Sequence, residues 1–197
     1  MSTLVRQAKS QLRAQLREAD LRAPPDRSEA SARICERLRQ QSVWHQARSV
    51  FFFAPMADEP DVWPLVSEAL KLGKSIALPR YSKEGDFYLP YRVSDLDRDV
   101  QVGHYGIREP APGCPGFDLK LLDLTLVPGV GFGLNGGRLG RGKGYYDRLL
   151  ARIQGRKCGV AFDWQVVSEL PVEPHDVCMD LILTPTRWHW VSARPGP

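Results

Sequence analysis

At 197 residues the chain has room for one domain with a full hydrophobic core, or at most two small ones. Its 43% hydrophobic and 25% charged residues are ordinary for a soluble globular protein, and no apolar run approaches the roughly 20 residues a membrane span needs. A net charge of +4 and a pI near 9.0 suit either a polyanionic partner or a small, multiply anionic substrate, and charge alone does not separate the two.

In chain order, Leu4, Ala8, Leu12, Leu16 and Ala19 recur at helical spacing behind Ser2 and Thr3 as caps. They predict an amphipathic first helix whose opposite face carries Arg6, Lys9, Arg13 and Arg17. Without a continuous apolar core, this segment is no secretory signal, so the chain is expected in the cytoplasm. Pro24 and Pro25 stop the helix, and a second is predicted over Asp26–Gln40 from Ala30, Ile34 and Leu38. Val50–Ala54 reads as a strand buried on both faces. Asp61–Leu72 reads as a helix with Pro64 in its first turn and Gly73 beyond its end.

Ser75–Leu78 is a further short strand, and the alternation of Phe87, Leu89, Tyr91 and Val93 predicts a half-exposed one. Segment 94–119, rich in Pro, Gly and Asp, is expected to be mostly loop. Leu124–Val127, Gly159–Phe162 and Leu181–Leu183 complete the buried strands, and Arg187–Pro197 is expected to be a fraying tail after a domain spanning 1–186. Helices between short apolar runs imply an α/β fold: a single-domain open sheet, mostly parallel and Rossmann-like, with helices on both faces. The ligand site is then expected beyond the carboxyl ends of the strands, where Ala54-Pro55 and Val127-Pro128 leave them. Cys35, Cys114, Cys158 and Cys178 are scattered without C-x-x-C or zinc spacing and are expected as free thiols.

The densest chemistry lies in Gly137–Asp147, G-R-L-G-R-G-K-G-Y-Y-D. Glycines let the backbone approach an anion, Arg138, Arg141 and Lys143 bring three positive charges, and a helix starting at Tyr145 would turn its N-terminus toward a phosphate. The segment nearly matches the P-loop through Gly137, Gly142 and Lys143, but Gly144 stands where a Mg²⁺-binding hydroxyl is required. An ordinary P-loop is therefore excluded; the remaining readings are a phosphate loop drawing its metal ligand from Asp147, one turn on, or a Gly-rich turn with solvated basic residues.

Leu126–Leu150, L-V-P-G-V-G-F-G-L-N-G-G-R-L-G-R-G-K-G-Y-Y-D-R-L-L, closely resembles the signature of the 5-formyltetrahydrofolate cyclo-ligase (5,10-methenyltetrahydrofolate synthetase) family. The resemblance extends in order through K-S-Q-L-R at Lys9–Arg13, Asp58-Glu59, Leu78-Pro79-Arg80, G-I-R-E-P at Gly106–Pro110, G-V-A-F-D-W-Q at Gly159–Gln165 and P-H-D at Pro174–Asp176.

Such a resemblance implies cyclisation of 5-formyltetrahydrofolate to 5,10-methenyltetrahydrofolate, driven by ATP with Mg²⁺. The partner is a small folate, with neither nucleic acid nor membrane, and the chain is expected to be a monomer. It places the nucleotide on Lys9, Ser10, Gln11, Leu12 and Arg13 and on Arg138, Leu139, Gly140, Arg141, Gly142, Lys143, Gly144, Tyr145 and Tyr146. Folate falls to Arg13, Ala54, Glu59, Arg141, Gly142, Lys143, Gly144 and Tyr145, catalysis to Lys143, Arg141 and Tyr145, and the metal to Asp147 and Asp176. His175 is expected to be structural or solvent-facing. Phe53, Met56 and Trp164 are candidate pocket walls, although residues of these types in such places more often belong to the core, and Arg80 and Gln165 are candidate supports at strand ends. The local E-P-D-V after Asp58 departs from the family's commoner E-V-D-T, and leaves Glu59 a competing role as charge before a helix. A nucleic-acid module is the alternative suggested by the pI and the basic first helix, but no aromatic side chains interleave with those cations.

Overall fold

Five short apolar runs become the parallel centre of one sheet because each carries side chains that can be buried on both faces. The computed structural model describes residues 3–103, 106–174 and 176–192. Its helices are α1 (Thr3–Arg22), α2 (Ser28–Arg39), α3 (Ser42–Gln46), α4 (Trp63–Lys71), α5 (Leu96–Asp99) and α6 (Tyr145–Leu150). The strands are β1 (Ser49–Phe51), β2 (Ser75–Ser82), β3 (Phe87–Val93), β4 (Val100–Val102), β5 (Arg108–Pro110), β6 (Leu124–Val127), β7 (Gly131–Gly133), β8 (Arg138–Leu139), β9 (Arg156–Val160), β10 (Val166–Val167), β11 (Leu181–Leu183) and β12 (Trp188–Trp190). No described helix is long and apolar enough to cross a membrane.

The main sheet has the order β12-β11-β9-β6-β1-β2-β3. Its five central strands are parallel, and β3 and β12 close the two edges antiparallel. From Val50 to Phe52 successive side chains alternate between the two faces. Val50 and Phe52 pack with α2, α3 and α4 on one face, while Phe51 points to the other, with Val127, Leu149 and Leu150. Each fully buried phenylalanine contributes about 1.5–3 kcal/mol of apolar burial. The face under α6 is completed by a three-stranded sheet, β10-β7-β8, whose Phe132 is fully buried against the main sheet. Thus both faces carry helices, but the second owes much of its cover to that small sheet.

Local sequence explains the element ends. Pro64 starts α4, and Gly73, at φ +72°, ends it: its N–H donates to Leu70 and that of Lys74 to Ala69, satisfying the last carbonyls. Among its described residues the segment 94–119 is mostly loop, as expected, with α5 and the β4–β5 hairpin inside it and a 3-10 turn at Leu119–Leu121 beginning at its end. Other expectations need correcting. The strand expected over 159–162 lies at Arg156–Val160, because the charged Arg156 and Lys157 extend it into register with Leu124 and Thr125 of β6. The strand expected to end at Leu78 runs to Ser82, paired along its length with β3. Finally, Trp188–Trp190 of the expected tail is an edge strand, held by pairing of Leu181 with Trp190 and Leu183 with Trp188. Ser2, His175 and the last five residues of that tail lie outside the described residues.

Strand order reverses between β6 and β1: the chain leaves β1 for β2 on one side and β6 for β9 on the other. An open α/β sheet has its natural crevice at such a point, beyond the carboxyl ends of the strands.

Candidate active site

A cleft of about 330 Å³ opens at that crevice. Ala54 beyond β1, Pro79 of β2 and Pro128 beyond β6 form its floor, as the strand exits lead one to expect. Met56, Tyr88, Ile107, Tyr145 and Tyr146 give it apolar walls, and Arg138, Gly140, Arg141, Lys143, Gly144 and Asp147 bring the glycine-rich segment to its edge. Glu59 and Glu109 supply its other two acids.

Four polar ties hold the glycine-rich segment. Arg13 of α1 donates to the Gly140 carbonyl at 2.9 Å. Arg141 donates to both Asp58 carboxylate oxygens, at 2.7 and 2.8 Å, and lies 3.4 Å from Glu59. Arg138 contacts Asp147 at 2.7 Å, and the Tyr145 hydroxyl donates to Asp86 at 2.6 Å. Gly142 and Gly144 turn the chain through φ +100° and +69°, left-handed conformations that a side chain would strain. Gly144 is also the N-cap of α6 and leaves that end without a side-chain cap.

Charge is distributed unevenly by burial. The Arg138 side chain is only 5% exposed, lies over the Tyr146 ring, and its Nε has no hydrogen-bond partner among the described residues. A buried guanidinium N–H left this way costs desolvation free energy that a bound anion would offset. Burial pushes the Glu59 carboxyl above the usual carboxylate range, opposed by the Met56 N–H donating to it at 3.0 Å and by Arg141. Burial also pushes the Tyr146 hydroxyl well up. Lys143 is exposed at the rim.

The other expected residues separate by place. On α1, Ser10 and Gln11 are exposed and do not line the cleft, whereas Leu12 packs against Leu16, Leu139 and Leu170. Leu139 is 1% exposed in that cluster, with its carbonyl accepting from Val130. Lys9, read from its helix face as a solvated cation, is buried, 2.5 Å from Asp176 and 3.5 Å from Glu173. The two expected metal ligands therefore each face a cation, Asp147 with Arg138 and Asp176 with Lys9, and Asp176 is not among the cleft residues. No group of three or more Asp, Glu, His or Cys side chains placed to hold a metal ion occurs among the described residues. Phe53 and Trp164 are structural: Phe53 is core, and Trp164 stacks on Phe162 at 4.7 Å. Gln165 accepts from the Phe162 N–H, and Arg80 donates to Ala111 and covers Tyr91.

Tyr88, Glu109, Ile107 and Asp86 were missed by sequence reasoning. Tyr88 did belong to the half-exposed strand, but on the face opposite its alternating apolar residues. Asp86 lies in a turn, where an acidic residue reads as solvated.

The model of the 5-formyltetrahydrofolate cyclo-ligase family matches residues 5–185. The chain belongs to that family. Relatives within it include the 5-formyltetrahydrofolate cyclo-ligase of Mus musculus, 29% identical over 91% of this chain and 94% of that one, and that of Escherichia coli K12, 30% identical over 85% and 94%. The solution structure of Aquifex aeolicus 5,10-methenyltetrahydrofolate synthetase superposes with a TM-score of 0.82 at 34% identity, covering 96% of this chain and 95% of that one. Membership makes the chain an enzyme and agrees with the α/β fold read from its sequence.

Proposed function

We propose that the protein closes 5-formyltetrahydrofolate to 5,10-methenyltetrahydrofolate at the expense of ATP, in the cleft beyond β1, β2 and β6. The observation that carries this reading is the meeting of a glycine-rich cationic segment with an apolar cleft that contains a buried carboxyl, Glu59. A folate presents a flat pterin with donors and acceptors for such an acid, an aromatic ring for the apolar walls, and carboxylates for basic groups.

The reaction needs activation because an amide oxygen is a weak nucleophile and oxide or hydroxide a poor leaving group. The formyl oxygen attacks the γ-phosphorus and ADP leaves. The neighbouring amine then attacks the formyl carbon, the C–O bond breaks to release phosphate, and the amine loses its proton. Arg138 and Lys143 are the groups assigned to neutralise charge spreading over the phosphoryl oxygens, with backbone amides of 140–144 freed for the same work by Gly142 and Gly144. Arg141 bridges the two substrates, since it is tied to Asp58 and lies beside Glu59. Tyr145 and Tyr88 orient the folate ring by packing.

Magnesium bound with a nucleotide requires only one or two carboxylates, the rest of its shell being phosphate and water. Asp147, at the cleft and partly exposed, is the ligand we assign; Asp176 joins it only if its contact with Lys9 is exchanged. When bound, Mg²⁺ supplies Lewis-acid withdrawal of phosphate charge. We place the reaction in the cytoplasm, where thiols such as the buried Cys35 and Cys158 remain reduced. The nucleic-acid alternative loses its main support, because Lys9 and Arg13 of the basic helix are committed to Asp176 and Gly140.

Calorimetric titration with ATP in the presence of magnesium tests the reading. Saturable one-site heat, abolished by excess ADP, is expected, and a folded protein that takes up no nucleotide contradicts it.

A further inference from the structure

The hairpin joining β2 to β3 ends in an unusual residue. Asp86 has φ +48°, the one positive φ among described non-glycine residues, in a left-handed conformation that glycine or asparagine adopts with less strain. Aspartate is also tolerated there, so what sets this carboxylate apart is what it touches.

It touches the cleft wall. One carboxylate oxygen accepts the Tyr145 hydroxyl at 2.6 Å and the Tyr81 hydroxyl at 2.8 Å, and the Asp86 carbonyl accepts from Arg148 at 2.5 Å. These bonds close over a ring cluster in which Tyr145 lies 5.8 Å from Tyr81 and 5.3 Å from Tyr88, the latter edge to face. Tyr145 is the first residue of α6, so the hairpin tip fixes both its ring and the start of the helix that follows the glycine-rich segment.

We infer that Asp86 is a positioning residue for folate: it aims the Tyr145 ring into the cleft through one charge-assisted hydrogen bond. The inference rests on the reading of this cleft as the folate site. Three substitutions separate positioning from folding. Asp86→Gly relieves the left-handed strain and keeps the carbonyl that Arg148 uses, but removes the hydroxyl acceptor. Asp86→Asn keeps an acceptor oxygen, and Tyr145→Phe removes the donor.

Steady-state rates, with 5-formyltetrahydrofolate and ATP varied separately, and thermal melts are the readouts. D86G is expected to melt at or above the wild-type temperature while its folate KM rises about tenfold, the worth of one hydrogen bond to a charged acceptor, and its ATP KM stays within twofold. D86N should recover most of the loss, and D86G should add less than twofold in a Y145F background. An unchanged folate KM in D86G, losses that multiply in the double variant, or an equal rise in the ATP KM would overturn the role of Asp86 while leaving the reaction assigned. Absence of folate turnover in the wild type would overturn both.

Discussion

Lys143 and Glu59 show how differently two charged groups can serve one cleft. Lys143 is exposed at the rim, and the role proposed for it is toward a phosphate, so Lys143→Ala should leave the melting temperature unchanged and lower turnover about tenfold or more. Near-normal steady-state rates would remove it from the phosphate site. Glu59 is buried, and its carboxyl is held above the usual range, chiefly by desolvation. A native pKa raised above the unfolded one means the folded state binds more protons between the two, so this group's contribution to stability falls as pH rises through that window. Glu59→Gln should therefore melt higher than wild type at pH 7, and the difference should vanish below the ordinary glutamate pKa of about 4.3, where both side chains are neutral. The same variant should bind folate more weakly; a melting difference independent of pH would contradict the cause given.

The segment 138–147 gathers ties from α1, from Asp58 after β1 and from the β2–β3 hairpin, so its shape belongs to several elements at once. Gly144, left-handed at the start of α6 with no neighbouring atom within 4 Å of an added Cβ, isolates the backbone term from any clash. Gly144→Ala should cost about 1–2 kcal/mol, read as a fall of roughly 2–8 °C in melting temperature, and should weaken nucleotide binding more than folate binding. At this scale the sequence was legible where chemistry is local. Gly137–Asp147 revealed its glycines and cations directly, and α6 began at Tyr145 as expected. The β7, β8 and β10 sheet was not legible, because strands of two or three residues have no period to read and draw their stability from Phe132 burying against the main sheet. Lys9 shows the same limit: helical spacing puts it on the polar face, and only the Glu173–Asp176 segment, 164 or more positions away in the chain, turns that face into an interior.

For the molecule as a whole, the strand runs gave the α/β class and the edge on which the cleft opens, because Ala54-Pro55 and Val127-Pro128 mark strand exits wherever the strands sit. Strand order, and with it the meeting of Glu59, Glu109 and Tyr88 at one crevice, depends on pairings between distant segments that no local pattern encodes. The central claim is that this crevice joins phosphoryl transfer to ring closure, and the ring-closed folate announces itself optically. Protein mixed with Mg-ATP and 5-formyltetrahydrofolate should develop the methenyl product's near-ultraviolet absorbance, with one ADP formed per product and no signal when ATP is left out. Folded protein that gives no absorbance change with all three present, or that gives the full change without nucleotide, would contradict the account.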